Sequence, residues 1–201
     1  MAGETRLKRS VREVLLKKRD SINPVEKREK EKEIRRRLYR QSDFKKAKRV
    51  LFYVSFKSEV DTMLCLKHAF DINKRVVLPR VNGRKDKLDL YEIQALSDLE
   101  SGFIGILEPD IRKGRETKLK DIDLVIIPGA GFDDRGSRLG YGHGYYDKLL
   151  SGADRHIRTI ALAFEEQVVP DIPTEAHDIG IDRIVTEKRI INCTGKRGNG
   201  V

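Results

Sequence analysis

The residues best suited to chemistry are concentrated in one glycine-rich stretch, residues 131–150, with the sequence GFDDRGSRLGYGHGYYDKLL. After the initial Gly131, its glycines stand at positions 136, 140, 142 and 144. Glycines allow tight turns and bring backbone N–H groups close to a bound anion. Arg138 adds a forked donor that suits phosphate oxygens, and Asp147 adds a carboxylate that can hold a magnesium ion. The stretch therefore has the composition of a phosphate-binding loop.

Spacing alone leaves a second interpretation of this stretch open. A long surface loop, with glycines at its turns, arginines in water and packed tyrosines, has the same composition. The stretch is neither a Walker P-loop, which needs a GK[ST] ending, nor the GxGxxG turn of dinucleotide-binding folds. The elements on either side of it have to separate the two interpretations.

Those flanking elements favour a ligand site. The segment DLVIIP, residues 123–128, is typical of a buried strand, and a helix is predicted to begin near Tyr145. In open α/β sheets, ligands bind beyond the carboxyl ends of the strands, which is where the glycine-rich stretch begins. The positive end of the helix dipole near Tyr145 would also favour a phosphate group.

Strands and helices alternate along the chain. Helices are predicted over residues 4–20, 24–41, 63–72 and from 145 onward, and strands over residues 49–54, 75–79, 88–93, 123–128, 158–164 and 182–187. Asn23 and Pro24 have the types expected for the cap and first residue of the second helix, whose Ile34 and Leu38 should face inward. This order predicts an α/β fold with three α/β/α layers and a mostly parallel, Rossmann-like central sheet.

The length of 201 residues suits one domain, which we assign to residues 1–192, followed by a flexible tail at 193–201. No apolar run approaches the roughly 18 residues of a membrane span, and the N-terminus lacks the apolar core of a signal peptide. We therefore expect a cytoplasmic protein. Two cysteines cannot form a disulfide framework. Cys65 lies in the apolar segment MLCLKHAF and is expected in the core, whereas Cys193 lies in a polar, glycine-rich segment and is expected at the surface.

The sequence GFDDRGSRLGYGHGYYD closely resembles the ATP-binding signature of the 5-formyltetrahydrofolate cyclo-ligase family, also called 5,10-methenyltetrahydrofolate synthetases. The resemblance extends along most of the chain. It includes KRSVR in the first helix, SEVDT after the first strand, and VVLPR and ILEP in the middle. The segment ALAFEEQVVPDIPTEAHD resembles the C-terminal motif of the family. A match of this length makes the glycine-rich stretch an expected ATP site.

The resemblance implies an ATP- and magnesium-dependent ring closure of 5-formyltetrahydrofolate to 5,10-methenyltetrahydrofolate, with release of ADP and phosphate. In the mechanism implied by the family, the formyl oxygen attacks the γ-phosphoryl group. The folate N10 then attacks the activated carbon, and phosphate leaves. Phosphorylation turns a poor leaving group into a good one, while positioning and charge neutralisation assist the weakly nucleophilic amide oxygen.

The resemblance also implies which residues bind ATP. Lys8 and Arg12 are four positions apart and so share one helix face, from which they should reach the phosphates with Arg9 beside them. Arg138 is the expected phosphate clamp and, with Lys8, the expected catalytic pair. The expected nucleotide cradle consists of Leu139, Gly140, Tyr141, Gly142, His143, Gly144, Tyr145 and Tyr146. The other basic residues of the first helix are expected to face solvent: Lys17, Lys18 and Arg19.

The folate and magnesium assignments have the same origin. The expected folate contacts are Val54, Glu59, Tyr145 and Tyr146. Asp147 and Asp178 are the expected magnesium ligands. On residue type alone, these side chains would have ordinary roles in packing, capping and helix-dipole interactions. His143 departs from the glycine or lysine common in the family at this position, and we assign it no proton transfer.

Two other functions remain open at this point. A non-catalytic module that binds RNA or another polyanion would use the net charge of +10, although the chain has no Trp and few aromatic residues for base stacking. A relative that keeps the ATP site could instead close a different formylated substrate. We expect a monomer whose partners are ATP and 5-formyltetrahydrofolate with one or more glutamates, and neither a nucleic acid nor a membrane.

Overall fold

The computed structural model describes residues 6–153 and 156–194. Within them the helices are α1 (Arg6–Asp20), α2 (Pro24–Arg40), α3 (Ser42–Lys46), α4 (Met63–Asp71) and α5 (Tyr145–Ser151). The strands are β1 (Arg49–Leu51), β2 (Arg75–Asn82), β3 (Lys87–Ile93), β4 (Leu99–Ser101), β5 (Leu107–Pro109), β6 (Arg115–Thr117), β7 (Leu124–Ile127), β8 (Gly131–Phe132), β9 (Arg138–Leu139), β10 (Arg158–Leu162), β11 (Arg183–Val185) and β12 (Ile190–Asn192). Short 3-10 helices lie at Leu96–Asp98, Phe103–Gly105, Leu119–Asp121 and Glu165–Gln167.

Eight of these strands form the central sheet, in the order β12-β11-β10-β7-β1-β2-β3-β6. The strands from β11 to β2 run parallel, and the pairs β12–β11, β2–β3 and β3–β6 toward the edges are antiparallel. Successive residues of a strand point to opposite faces. Val50 packs in one apolar cluster with α2 and α4, while Leu51 packs in another with α5. The predicted α/β fold, with a mostly parallel sheet between helical layers, is confirmed.

The first strand is shorter than predicted. β1 ends at Leu51 rather than at Val54, and two residues later the carbonyl of Tyr53 accepts a hydrogen bond from the Thr62 hydroxyl at 2.7 Å. The Tyr53 carbonyl therefore bonds to the Thr62 side chain instead of to a backbone N–H of a neighbouring strand. The chain consequently leaves the sheet as a loop, residues 52–62, which we call the β1 loop.

Local signals at the helix ends are confirmed. The side chain of Asn23 accepts the backbone N–H of Val25 at 2.9 Å and so caps α2. At α4 the sequence allows Asp61 or Thr62 as the cap. The structure has Thr62 as the cap residue, while the Asp61 carboxylate accepts the N–H of Met63 at 2.9 Å. The predicted inward-facing residues of α2 are fully buried: Ile34 and Leu38. Across both described ranges, no helix has the length and apolar character needed to cross a membrane.

The C-terminal end of the described chain departs from the prediction. β12 follows the predicted final strand and pairs antiparallel with β11 at the edge of the sheet. Cys193, expected at the surface, is half-buried: its N–H donates to the carbonyl of Asp182 at 2.9 Å, and burial raises the pKa of its thiol to about 12. Cys65 is fully buried, as expected. Most of the predicted tail, residues 195–201, lies outside the described residues.

Candidate functional site

The glycine-rich loop, residues 128–144, connects β7 to α5 at the carboxyl edge of the sheet. Within it β8 and β9 pair with each other, and the fully buried carboxylate of Asp133 accepts three backbone N–H bonds at 2.9–3.2 Å. Gly142 and Gly144 have φ values of 99° and 64°, which favour glycine. The segment is therefore a hydrogen-bonded structure rather than an open surface loop.

Arg138 belongs to β9 of this loop and is only 7% exposed. Its Nη2 donates to Oδ2 of Asp147 at 2.7 Å, and its Nη1 donates to the carbonyl of Pro128 at 3.4 Å. The guanidinium carbon also lies 5.9 Å from the ring centre of Tyr146. Among the described residues, nothing accepts a hydrogen bond from its buried Nε. The expected phosphate clamp thus forms an ion pair with an expected metal ligand, and its Nε has no acceptor among the described residues.

The two aspartates expected to bind magnesium are connected through the backbone of one segment. Oδ1 of Asp147 accepts the backbone N–H of Ile179 at 3.1 Å, and Asp178 immediately precedes Ile179 in the chain. Asp178 in turn accepts the backbone N–H of Glu175 at 2.7 Å. These bonds hold the segment 175–179 against the first turn of α5.

This segment also supplies potential metal ligands that the sequence analysis missed. Glu175, His177 and Asp178 each place one possible ligand atom within 4.8 Å of the others. Carboxylate oxygens are the protein ligands that magnesium prefers. Glu175 and Asp178 thus offer two such oxygens beside His177, whereas Asp147 is not part of this cluster and is connected to the segment through the N–H of Ile179. The carboxylates of Asp147, Glu175 and Asp178 are called the acidic group below. The sequence TEAHD carried a signal for Glu175, since it places this carboxylate three residues before Asp178.

Lys8 contacts two members of the acidic group and is only 6% exposed. Its Nζ lies 2.8 Å from Oε2 of Glu175 and 2.6 Å from Oδ2 of Asp178. Burial acts to lower the pKa of Lys8, but the bonds and charges of the two carboxylates outweigh it and hold the pKa above its ordinary value. An ammonium group therefore lies between two carboxylates that were candidates for a metal ion.

The remaining basic residues of α1 differ in their surroundings. The Nε of Arg12 donates to the carbonyl of Gly140 at 2.6 Å, which holds α1 against the glycine-rich loop. Arg9 is exposed on the same helix. Two of the residues expected to face solvent do so: Lys17 and Lys18.

Arg19 is the residue of α1 for which the sequence prediction is wrong. Expected in solvent, it is 2% exposed and donates to the Ser58 hydroxyl at 2.9 Å and to the Tyr141 hydroxyl at 2.7 Å. A signal for this burial was present, because Lys8, Arg12, Leu15 and Arg19 follow one another at spacings of four, three and four. Such spacings place all four residues on one helix face.

The expected folate residues lie in the β1 loop and the first turn of α5. Glu59, in the β1 loop, is 6% exposed and accepts the N–H of Phe56 at 2.8 Å. Burial raises the pKa of Glu59, and the Tyr141 hydroxyl and the Phe56 N–H offset the increase only in part. Val54 and Tyr146 are half-buried and pack against the same apolar cluster. Because Arg19 donates to Ser58 as well as to Tyr141, the β1 loop and the glycine-rich loop meet around its guanidinium group.

The aromatic residues of the cradle have different environments. The hydroxyl of Tyr146 is buried and makes no hydrogen bond in the part of the chain that the structure describes. His143, which the sequence did not place, stacks on Tyr145 at 5.4 Å between ring centres and meets the edge of Phe103 at 6.4 Å. Leu139 is buried in a small apolar cluster, so its side chain belongs to the core.

Comparison with known proteins gives consistent results. The model of the 5-formyltetrahydrofolate cyclo-ligase family matches residues 4–187. The chain is 32% identical over 155 residues to 5-formyltetrahydrofolate cyclo-ligase of Mus musculus, covering 73% of this chain and 76% of the mouse protein. It is also similar to the NMR structure of Aquifex aeolicus 5,10-methenyltetrahydrofolate synthetase, with a TM-score of 0.83, 32% identity and 97% of each chain covered.

A second solved structure, a 5,10-methenyltetrahydrofolate synthetase from Mycoplasma pneumoniae, has a TM-score of 0.72 at 22% identity. It covers 90% of this chain and 98% of that one, and it supports the fold alone. The family match, in contrast, includes α1, the β1 loop, the glycine-rich loop and the acidic group. The chain therefore belongs to the 5-formyltetrahydrofolate cyclo-ligase family, a family of ligase enzymes.

Proposed function

We propose that this chain catalyses the ATP-dependent cyclisation of 5-formyltetrahydrofolate to 5,10-methenyltetrahydrofolate, with release of ADP and phosphate. The observation that carries the proposal is that Arg19 donates both to Tyr141 of the glycine-rich loop and to Ser58 of the β1 loop, the residue before Glu59. A phosphoryl donor held by the first loop and a folate held by the second would be neighbours. The names of the mouse and Aquifex aeolicus relatives support the substrate and the product.

The charges around the glycine-rich loop support a magnesium-bound polyphosphate as a ligand. The cations are Lys8, Arg12 and Arg138, and the carboxylates are Asp147, Glu175 and Asp178. Because three positive and three negative formal charges cancel, this part of the site has little net attraction for ATP alone. On binding, Lys8 and Arg138 would exchange carboxylate partners for phosphate oxygens, and the released carboxylates would face a metal ion.

The acidic group is the place proposed for magnesium. Asp147 and Asp178 would hold the ion, with Glu175 as a third oxygen donor. Bound there, magnesium would supply positive charge that neutralises the phosphate oxygens. The present partners of these carboxylates are an arginine, a lysine and backbone N–H groups, so each carboxylate already stabilises positive charge.

The proposed reaction has two steps that this site could assist. The formyl oxygen attacks the γ-phosphorus and ADP leaves; N10 then attacks the activated formyl carbon and phosphate leaves. An amide oxygen is a weak nucleophile, so the contribution of the protein is positioning and neutralisation of charge. Lys8 and Arg138, including the unused Nε of Arg138, would stabilise charge on the transferred phosphoryl group.

The folate would contact the β1 loop and the first turn of α5. The Glu59 carboxylate can accept N–H bonds from the pterin ring, and Val54 offers an apolar contact. The hydroxyl of Tyr146 is a buried group without a partner among the described residues. Leaving such a group unsatisfied costs about 1–3 kcal/mol, which a bound substrate could recover. Tyr145, stacked on His143, would border the same space.

A coupled spectroscopic assay tests this proposal. Purified protein with magnesium, ATP and 5-formyltetrahydrofolate should produce the absorbance of the methenyl product together with one ADP per turnover. Omitting ATP, or adding a chelator of divalent ions, should abolish product formation. A panel of other formylated folates and related amides identifies the preferred substrate. If ATP is consumed only with another member of the panel, the substrate assignment is wrong.

No turnover with any member over a range of pH, temperature and metal would contradict the proposed activity as a whole. Binding of RNA without ATP consumption would favour the polyanion-binding alternative instead. The expected cytoplasmic location and monomeric state stay predictions, which fractionation of the source cells and light scattering would test.

A further inference from the structure

The amino end of the central sheet carries a cavity that the proposed reaction does not use. Its volume is about 380 Å³, and eight residues line it: Arg49, Arg75, Arg115, Glu116, Thr117, Lys118, Lys120 and Asp121. Arg49 and Arg75 are the first residues of β1 and β2, so the cavity lies where these parallel strands begin. The glycine-rich loop follows the opposite, carboxyl end of β7. This cavity, called the basic pocket below, is therefore separate from the candidate functional site.

The register of the strands brings three arginines together at the basic pocket. Arg49 is paired with Arg75 across β1 and β2, and Glu92 is paired with Arg115 across β3 and β6. Like charges directly opposite each other in a sheet are unfavourable. The Glu92 carboxylate offsets this repulsion by accepting the Nε of Arg49 at 3.2 Å and the Nε of Arg75 at 2.8 Å. One carboxylate thus holds two guanidinium groups next to each other.

Positive charge exceeds negative charge around the basic pocket. Five lining residues are cations, whereas the carboxylates are the two of the lining and that of Glu92. Arg115 and Lys118 are exposed, and their side chains form no ion pair or hydrogen bond within residues 6–153 and 156–194. In the candidate functional site, in contrast, three cations face three carboxylates. The basic pocket therefore attracts an anion without the help of a metal ion.

The lining indicates which kind of anion fits. All eight lining residues are charged or polar, so a nucleotide base has no aromatic side chain on which to stack. Guanidinium groups present planar, forked donors that match phosphate oxygens, and lysines add point charges. Ligand pockets range from about 300 to 1,000 Å³, so a volume of about 380 Å³ suits a small molecule. These features favour a small anion that is recognised through its phosphate groups.

We propose that the basic pocket binds a small anion with two or more linked phosphate groups, at a site separate from that of the reacting nucleotide. Arg49 and Arg75, held by Glu92, would bind one phosphate group, and Arg115 and Lys118 would bind the next. Recognition through phosphates alone requires that inorganic tripolyphosphate and a nucleoside triphosphate bind this pocket with similar affinity. The inference does not depend on the proposed function.

NMR titration of isotope-labelled protein with sodium tripolyphosphate locates the binding. Magnesium is left out, and the ionic strength is kept low because salt screens exposed charges. The backbone amide signals of Arg49, Arg75 and residues 115–120 should shift and saturate as one site. Tripolyphosphate can also enter the glycine-rich loop, so the signals of residues 136–144 are fitted as a separate site. Orthophosphate should bind the basic pocket about 10-fold more weakly, because it contacts fewer cations.

The double variant Arg115→Gln with Lys118→Gln tests the two cations that no described residue pairs. Its unfolding midpoint without anion should match that of the wild type, because no ion pair of the described chain is lost. Each lost contact at an exposed site weakens binding a few-fold, so the Kd of tripolyphosphate at the basic pocket should rise about 10-fold. The shifts of the glycine-rich loop should be unchanged.

The matched control is the double variant Arg28→Gln with Lys67→Gln. It removes one exposed arginine from α2 and one exposed lysine from α4, so the net charge changes by the same amount. Its Kd for tripolyphosphate at the basic pocket should equal that of the wild type. Equal weakening in the two double variants would mean that only the overall charge of the protein attracts the anion, which overturns the inference.

The choice of anions separates the possible sources of the phosphate groups. Similar Kd values at the basic pocket for tripolyphosphate and for ATP support the inference, whereas binding of ATP alone would mean that the base is recognised and would contradict it. Shifts confined to the glycine-rich loop overturn it as well. A single-stranded RNA that shifts the pocket signals while tripolyphosphate does not would identify a nucleic-acid surface instead. Turnover of 5-formyltetrahydrofolate is measured separately, so none of these outcomes decides the proposed function.

Discussion

The Nη2 atom of Arg138 lies 2.7 Å from Oδ2 of Asp147, and this ion pair holds the first turn of α5 against β9. The two side chains expose only 4% and 13% of their surfaces. In a pair this enclosed, removal of one partner leaves an uncompensated charge on the other. Each residue therefore has a structural role beside its proposed ligand role, and substitutions have to separate the two.

Replacement of Arg138 separates these roles when two variants are compared. Arg138→Ala should lower kcat by about 100- to 1,000-fold, the effect of losing one preorganised charge-stabilising donor. It should also lower the free energy of unfolding by about 3–5 kcal/mol, because Asp147 is left unpaired. Arg138→Lys keeps a cation opposite Asp147 but loses the forked donor, so it should retain most of the stability and little of the turnover.

Steady-state kinetics and urea denaturation of both variants provide the measurements. Wild-type turnover in Arg138→Lys would refute the clamp role, because the planar fork would then be unnecessary. If both variants lose the same free energy of unfolding, a positive charge opposite Asp147 is not sufficient to stabilise the fold.

Gly140→Ala should damage activity while leaving the fold nearly intact. A Cβ atom at this position would lie 2.8 Å from Nη1 of Arg138, so the guanidinium would have to move. Since this atom is the end of a flexible side chain, the cost in stability should be small. Displacement of a catalytic group by about 1 Å can cost about 100-fold in rate, and we expect a loss between about 10- and 100-fold.

Gly83→Ala is the matched control for this substitution, because its added Cβ would meet nothing within 4 Å. Initial-rate measurements and thermal unfolding of both variants check the prediction. A Gly140→Ala enzyme that turns over at the wild-type rate would mean that the position of Arg138 does not limit the reaction.

Glu59→Gln should stabilise the protein at neutral pH. Burial raises the folded-state pKa of Glu59, so the stability that its protonated form contributes is fully present below the unfolded-state pKa and is lost as pH rises through the folded pKa. At pH 7 to 8 the variant should therefore unfold at a higher temperature than the wild type. The difference in unfolding temperature between the two proteins should shrink toward pH 4. The variant should also lose turnover.

Differential scanning calorimetry of the two proteins from pH 4 to 8 measures this difference. If Glu59→Gln is less stable than the wild type at every pH, the ionised carboxylate is stabilised by Tyr141 and Phe56 more than burial disfavours it. The sign of the predicted pKa shift would then be wrong.

Lys8→Met should expose the cation affinity of the acidic group. The variant loses two charged hydrogen bonds and leaves Glu175 and Asp178 facing each other, so it should be destabilised by about 1.5–3 kcal/mol and turn over slowly. Magnesium should then raise its unfolding midpoint more than that of the wild type, because ligands that bind only the folded state stabilise it.

The double variant Lys8→Met with Asp178→Asn is the control for this magnesium effect, since it lacks one of the proposed ligands. Its unfolding midpoint should respond less to magnesium in thermal unfolding experiments. Equal responses in the single and double variants would remove Asp178 from the proposed metal site.

The amino-acid sequence alone predicts the order of the main helices and strands and the position of the candidate site along the chain, but not α3 or the short strands β4, β5, β6, β8, β9 and β12. The Asn23 cap, the apolar runs and the continuous signature at residues 131–147 are local patterns, so each can be interpreted within one helix turn, one strand or one loop. The early end of β1 could not be predicted from a local pattern, because it depends on the Thr62 hydroxyl and the neighbouring strands.

Which charged residues contact each other depends on the folded chain. Lys8 contacts Asp178 across 170 positions of sequence, and Arg19 contacts Tyr141 across 122. The helix spacing placed Lys8 and Arg19 on one face, but the element that covers this face depends on the packing of distant segments. The strength of an ion pair and the burial of a cation both depend on distances that exist only after those segments have folded together.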